Sequence, residues 1–372
     1  MNLVQKEEKK VEYLELIYDL IFVYIIGRNN SLLRNIENGF VTPHVFLTYV
    51  VSGLAIIQIW CFSTYYTNMY GRNGIRDHVF MFVNMYLLYY IGEGTHVHWE
   101  EYQTQYHIAW ALILVNIAAQ YFTELRRVDS GSGSARTIRG LIAALLGETA
   151  IIIIAIPLFR FTGVQLSYAA VLFGIGAAWL FSNGSKGELV DFTHLSERAM
   201  LYVVFTFGEM IIAIASYFEG GITASSVYFS GMSFLIVVGL FLCYELLYNR
   251  IIDRDMKTSG MGYMLIHIFL IFAMNNITTS LEFMRDVNVL LVPKTVLLIS
   301  SFLLLFACMF GLLAYSKAEM KKRRRMAISA AGISVLFAVL MIVFRSQMNI
   351  NIFISVLYVF AVFCLLYRFS RT

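Results

Sequence analysis

The sequence predicts an all-α, polytopic transmembrane bundle of about twelve helices, and three observations carry that prediction. Hydrophobic residues make up 59% of the 372-residue chain and charged residues only 14%, whereas soluble domains carry about a quarter charged. Mean hydropathy is +0.70. Only three prolines interrupt the whole length, so apolar runs can persist as long helices. At about 20 residues per crossing, twelve helices leave short loops and little room for a separate soluble domain. The same composition excludes a disordered chain, a secreted disulfide scaffold and a nucleic-acid module. A net charge of +4 calls for no acidic partner, because cationic loops belong on the cytoplasmic side of a membrane protein.

Taken in order, the first apolar run spans 12–33 and follows a polar stretch, Met1 to Lys10. That stretch has no signal-peptide cleavage pattern, so the first helix is expected to stay in the mature chain. Runs at 43–69 and 77–98 flank the turn Gly71-Arg72-Asn73-Gly74. The run 107–125 leads to a Ser/Gly segment at 130–134, then 137–159 and the short run 165–182. Ser182-Asn183-Gly184-Ser185 marks the end of a first six-helix half, 1–182, and the second half covers 183–372. There, 197–218 and 226–249 flank Gly220-Gly221, and 260–283, 294–316, 326–345 and 351–369 complete the set.

Positive charge sets the expected orientation. With the amino terminus inside, 22 of the 28 Lys and Arg fall on the inner side. Arg28, Arg34, Arg160, Arg285, Lys294 and Arg345 fall outside. So uneven a split predicts an even number of crossings and two cytoplasmic termini. The densest cluster, Lys321, Lys322, Arg323, Arg324 and Arg325, is expected to meet anionic lipid headgroups, the partner this sequence points to.

A faint parallel 6+6 repeat is also expected. Glu15 lies 53 positions before Asn68, and Glu197 lies 52 before Asn249, each pair opening one span and closing the next. The four cysteines, Cys61, Cys243, Cys308 and Cys364, sit apart in apolar runs and read as small hydrophobes.

Carboxylates inside the hydrocarbon cost about 2.5–3.5 kcal/mol each on insertion scales and face the bundle interior. Span one carries Glu12, Glu15 and Asp19 at spacings that share one helical face, with Arg28 near that face at the outer end. This stripe is either a set of interior ion pairs or a cation or proton pathway; Arg28 or Arg198 is expected to neutralise part of it. Gly92-Glu93, Gly147-Glu148 and Gly208-Glu209 each pair a carboxyl with a glycine that admits a neighbouring helix. Glu148 and Glu209 fall near mid-membrane, where an isolated carboxyl would exchange protons and an Arg-paired one would stay structural. His194-Leu195-Ser196-Glu197-Arg198 opens span seven, with Ser196 as its expected cap. His267, Asn275 and Asn276 add polar groups to span nine. His96, His98, Glu100 and His107 match no metal-ligand spacing, so no metal is expected. With no phosphate-binding loop, nucleophile elbow or zinc-protease motif, no cofactor or catalytic residue is expected either.

These residues fall into recognisable stretches. Tyr13-Leu-Glu-Leu-Ile-Tyr-Asp-Leu-Ile-Phe-Val23 resembles the opening signature of the bacterial low temperature requirement protein A family. His194-Leu-Ser-Glu-Arg198 with Phe207-Gly-Glu-Met-Ile211 resembles its second signature, and Trp60, Tyr66 and Asn68 fit a looser third. The resemblance covers about residues 10–275, the last three spans matching by hydropathy alone. Where the family usually has tryptophan in span eight, this chain has Tyr244 followed by Glu245. The resemblance implies a polytopic protein of the bacterial cytoplasmic membrane linked to growth in the cold; the family name records a phenotype and no molecular activity.

The leading functional expectation is a transporter or channel whose carboxylates bind a proton or cation. Its ion- or substrate-binding candidates are Glu15, Asp19, Glu148, Glu209, His267 and Asn68. Structural or gating candidates are Arg28, Trp60, Tyr66, Glu93, His194, Glu197, Arg198, Tyr244 and Glu245. One alternative is a non-catalytic membrane scaffold or stress sensor. A second is an intramembrane lipid-acting enzyme, for which His194, Glu197 and Arg198 with Asp77 and His78 are the only candidate groups.

Overall fold

A computed structural model describes residues 9–95, 99–182, 190–219 and 221–371, without the side chains of Trp99, Glu100 and Ser182. His96, His98 and the side chain of Glu100, the turn residues Asn183, Gly184 and Ser185, and Gly220 lie outside what it describes. Among the described residues there are twelve α-helices. They are α1 (Tyr13–Asn30), α2 (Pro43–Tyr70), α3 (Ile75–Gly94), α4 (Trp99–Leu125), α5 (Gly133–Thr162), α6 (Ser167–Ser182), α7 (Phe192–Ile214), α8 (Ala224–Leu246), α9 (Met261–Phe283), α10 (Leu291–Leu312), α11 (Met320–Val343) and α12 (Met348–Arg371).

Nine of them are long and apolar enough to cross a membrane; α1, α3 and α6 are the exceptions. The shortfalls have local causes. In α1, Glu15, Asp19 and Arg28 sit within 18 residues; α3 carries Arg76, Asp77 and Glu93; α6 has only 16 residues. Two of these helices also bring buried carboxylates to the interior, Glu15 and Asp19 from α1 and Asp77 from α3.

The chain forms two compact units. The first combines the described parts of Met1–Leu32, Pro43–Tyr202 and Arg254–Ile268. Within it α1 packs on α2 and α3, α4 lies between α3 and α5, and α6 packs on α5. The second combines Leu33–Thr42, Val203–Asp253 and Phe269–Thr372. Here α12 packs against α8 and α11, around a cluster in which the Phe337 and Tyr358 rings stack at 4.1 Å and Phe302 meets both edge-on.

Two helix starts set where buried polar side chains fall. Ser132 caps α5 by accepting from the Ala135 backbone N–H at 3.1 Å. For α7, the expected Ser196 cap is replaced by Asp191, whose Oδ1 accepts from the His194 N–H at 3.0 Å. The helix therefore begins five residues earlier than the hydropathy run, since Thr193, His194 and Ser196 are polar yet helical. Ser196 turns its hydroxyl back to the Thr193 carbonyl instead. This early start places His194, Arg198 and Tyr202 one turn apart on a single face.

Candidate functional site

Three helices supply the site, each through residues of one face that lie in the first unit. From α1 come Glu15 and Asp19, four residues apart. From α2 come Trp60, Thr64, Thr67 and Asn68, at spacings of four, three and one. From α7 come His194 and Arg198. Arg198 is completely buried. Its Nε donates to Asp19 Oδ2 at 3.1 Å and its Nη2 to Asp19 Oδ1 at 2.6 Å, a two-pronged contact. Its Nη1 stands 2.8 Å from Glu15 Oε1. The Trp60 indole N–H also donates to Asp19 Oδ1, at 2.8 Å, and the Tyr202 ring packs 4.5 Å from the Trp60 ring. Thr64 and Thr67 hydroxyls accept longer contacts from the same guanidinium. Fork-to-carboxylate geometry of this kind is specific to arginine.

His194 is locked by its neighbours. The Asp191 backbone N–H donates to Asn68 Oδ1 at 3.1 Å, so the amide nitrogen of Asn68 faces the Asp191 carbonyl and His194 Nδ1. Nδ1 must then accept, which puts the imidazole proton on Nε2 and leaves the ring neutral. That proton points at Glu15 Oε2, 3.3 Å away. Glu15 Oε2 also accepts from the Glu12 backbone N–H at 3.0 Å. Two carboxylates thus share one guanidinium and one neutral imidazole, leaving the buried set one negative charge in excess.

Lys9 approaches that excess from outside the helices. Its ammonium donates to the Thr67 carbonyl, to that of Asn68 at 3.3 Å and to that of Gly71 at 2.9 Å, at the carboxyl end of α2, where the helix dipole favours a cation. Burial pushes its ammonium below the ordinary lysine value, with Glu15 pulling the other way. A cavity of about 340 Å³ lies between Lys9, Glu12, Glu15, Arg72, Asp77 and Met81. Glu15 is on its wall; Asp19 and Arg198 lie behind.

Beside the cavity, Glu124 accepts from Arg76 at 2.5 Å, Arg127 at 3.2 Å and Arg72 at 3.4 Å. Asp77 accepts from the Arg72 backbone N–H and from Arg76. Tyr66 belongs to this group: its hydroxyl accepts from Arg76 at 3.2 Å.

A model of the bacterial low temperature requirement A proteins (LtrA) matches residues 10–365. The chain belongs to the LtrA family. It is therefore a multi-pass membrane protein of a bacterial family, with charged residues buried among its helices. The LtrA match continues through α10, α11 and nearly all of α12, beyond residue 275, where the motif resemblance ends. No curated protein and no solved structure matches the chain. The stretches that carry the LtrA resemblance converge here: the first supplies Glu15 and Asp19, the second His194 and Arg198, the third Trp60 and Asn68.

The other residues singled out in the sequence of this LtrA member fall in varied settings. Glu12 precedes α1 as its cap residue, so the acidic stripe within the helix has two members. Arg28 does not reach it; it pairs with Glu93 at 3.3 Å, and Glu93 is exposed because it ends α3 rather than crossing a core. Gly208 has open space beside it, without the expected close approach. Glu209 is half-buried, with no hydrogen-bond or ion-pair partner among the described residues. Glu197 is half-buried and Glu245 exposed, whereas Tyr244 is buried. His267 is buried, with Nδ1 against the Tyr263 carbonyl at 2.8 Å and its ring 4.3 Å from that of Tyr263. Asn249, the repeat counterpart of Asn68, is exposed, while Asn68 is buried.

Sequence reasoning missed Thr64, Thr67, Asp191, Lys9 and Glu124. For Thr64, Thr67 and Asp191 a signal existed: the two threonines repeat the helical spacing from Trp60, and Asp191 stands three residues before His194, as a cap does. Lys9 and Glu124 had none, because their roles depend on where helix ends meet.

Proposed function

We propose that this LtrA family member is a transporter or channel in which Glu15 takes up a proton or small cation. One observation carries the reading: a carboxylate on the wall of a polar cavity also touches a buried guanidinium that another carboxylate already neutralises. Asp19 has both oxygens engaged and serves as the fixed counter-ion of Arg198. Glu15 carries the exchangeable charge, with Asn68 and His194 fixing its position. Intramembrane acids in such settings mark ion and proton paths. Glu209, half-buried in the second unit with no partner among the described residues, is a separate candidate for a proton or cation. The test is flux of protons or alkali cations into proteoliposomes by wild type and by Glu15→Gln. A scaffold is the rival reading, favoured by the closed bonding of Asp19, and the same measurement separates the two.

All twelve helices cross the bacterial cytoplasmic membrane in this reading, as two six-helix halves of parallel sense with both termini cytoplasmic, so the cavity opens to the cytoplasm. Cysteines replacing Gly131 and Glu101, both exposed positions, in a background lacking the four native ones, are expected to label from inside and outside respectively. Labelling from one side would remove the orientation.

The basic cluster in the first turns of α11 is proposed to hold an anionic lipid headgroup. Lys321, Lys322, Arg325 and Arg368 line a groove of about 550 Å³ with Phe369 and Leu365. Arg323 turns away to the Ala314 and Ala318 carbonyls. At about 1 kcal/mol for each basic residue near an anionic surface, the Lys321→Ala/Arg325→Ala variant should lose most of the melting-temperature rise that phosphatidylglycerol, but not phosphatidylcholine, gives wild type. An equal rise in the variant would overturn the assignment.

A further inference from the structure

Glu148 and Gln58 meet near the middle of their helices, α5 and α2, away from the Glu15 cavity. Both side chains are buried, at 0% and 1% exposure. Gln58 Nε2 donates to Glu148 Oε2 at 3.0 Å. Glu148 Oε1 and Gln58 Oε1 are also buried, and neither has a hydrogen-bond donor among the described residues. No cation faces the carboxyl: among the described residues neither α2, α4 nor α6 brings it an ion-pair partner, and the Gln58 amide is its hydrogen-bond donor. The backbone of α6 closes the remaining side. A Cβ on Gly174 would lie 1.9 Å from Glu148 Oε2 and 2.1 Å from Gln58 Nε2, so only glycine admits the pair. Beside it, a Cβ on Gly147 would lie 2.7 Å from the Phe173 ring.

An ionised carboxylate here would have one amide donor against the cost of leaving water. A metal cation would need several oxygen ligands and room for them, which the Gly174 contact denies. We infer that Glu148 carries a bound proton at neutral pH and forms, with Gln58, a mid-membrane proton-binding site separate from the Glu15 cavity. The added proton removes the charge and supplies one further donor, for which the Gln58 oxygen is an acceptor. Amide oxygen and nitrogen occupy equivalent positions, so a half-turn of the Gln58 amide lets its Oε1 accept the new O–H. The step is a simple protonation: a proton from water joins a carboxylate oxygen, and no other bond changes.

This inference does not rest on transport through Glu15. Its test is infrared spectroscopy of the full-length protein in lipid at neutral pH. The wild-type minus Glu148→Gln difference should contain a carboxylic-acid carbonyl band that shifts down in deuterated water. Gln58→Leu should keep the band and move it upward as its hydrogen bond is lost, a readout that survives if Glu148→Gln fails to fold. Glu15→Gln should leave the band in place. Only carboxylate bands in the difference spectrum, or an acid band that sodium or potassium abolishes, would overturn the proposal. An intact band without flux would leave it standing while the transport reading falls.

Discussion

Arg198→Gln is expected to be the most damaging single change in the molecule. It leaves Asp19 fully buried with only the Trp60 indole as donor, and Glu15 with a neutral imidazole and one backbone N–H. Removing one partner of a buried ion pair costs about 3–5 kcal/mol, because the surviving charge stays desolvated. Membrane yield and detergent melting temperature should both fall sharply. Arg198→Lys should recover only part of the loss, since an ammonium keeps the charge but cannot span Oδ1 and Oδ2 of Asp19 while reaching Glu15. Asp19→Asn combined with Arg198→Gln should melt above Arg198→Gln alone, because the double change leaves one fewer stranded charge. A single Arg198→Gln variant that melts like wild type would mean the fork contributes nothing.

Glu15→Gln tests function with a smaller structural cost. The amide oxygen can still accept from Arg198 Nη1, and Asp19 still neutralises the guanidinium. The amide nitrogen, however, would face the His194 Nε2–H and the Glu12 N–H, two donors against a donor. Leaving such groups unmet costs about 1–3 kcal/mol, so the variant should insert and melt moderately below wild type. Flux in proteoliposomes should disappear or lose its pH dependence. Normal flux would remove Glu15 from the pathway. A melting loss as large as that of Arg198→Gln would support a purely structural clasp.

Composition and periodicity by themselves determined the all-α class, the number of helices and most of their boundaries. They also determined that Glu15 and Asp19 share a face. These follow from local rules: the length of apolar runs, the turns between them, and 3.6 residues per turn. Which cation meets which carboxylate is a different kind of question. Arg28 and Arg198 were equal candidates along the sequence, and only packing of α7 against α1 and α2 gave Asp19 to Arg198 and Glu93 to Arg28. The earlier start of α7 was hidden because polar Thr193, His194 and Ser196 break the apolar run while remaining helical, the His194 ring being satisfied by Asn68 of α2. The neutral state of His194 depends on an Asn68 amide held by the Asp191 backbone, 123 residues away. Gln58 carried no signal in a long apolar helix, and Gly147 beside Glu148 pointed to glycine packing one helix away from the Gly174 contact that closes the pair. Local pattern decides what a residue can do on its own helix; the dielectric and the partners around it come only from the helices that fold against it.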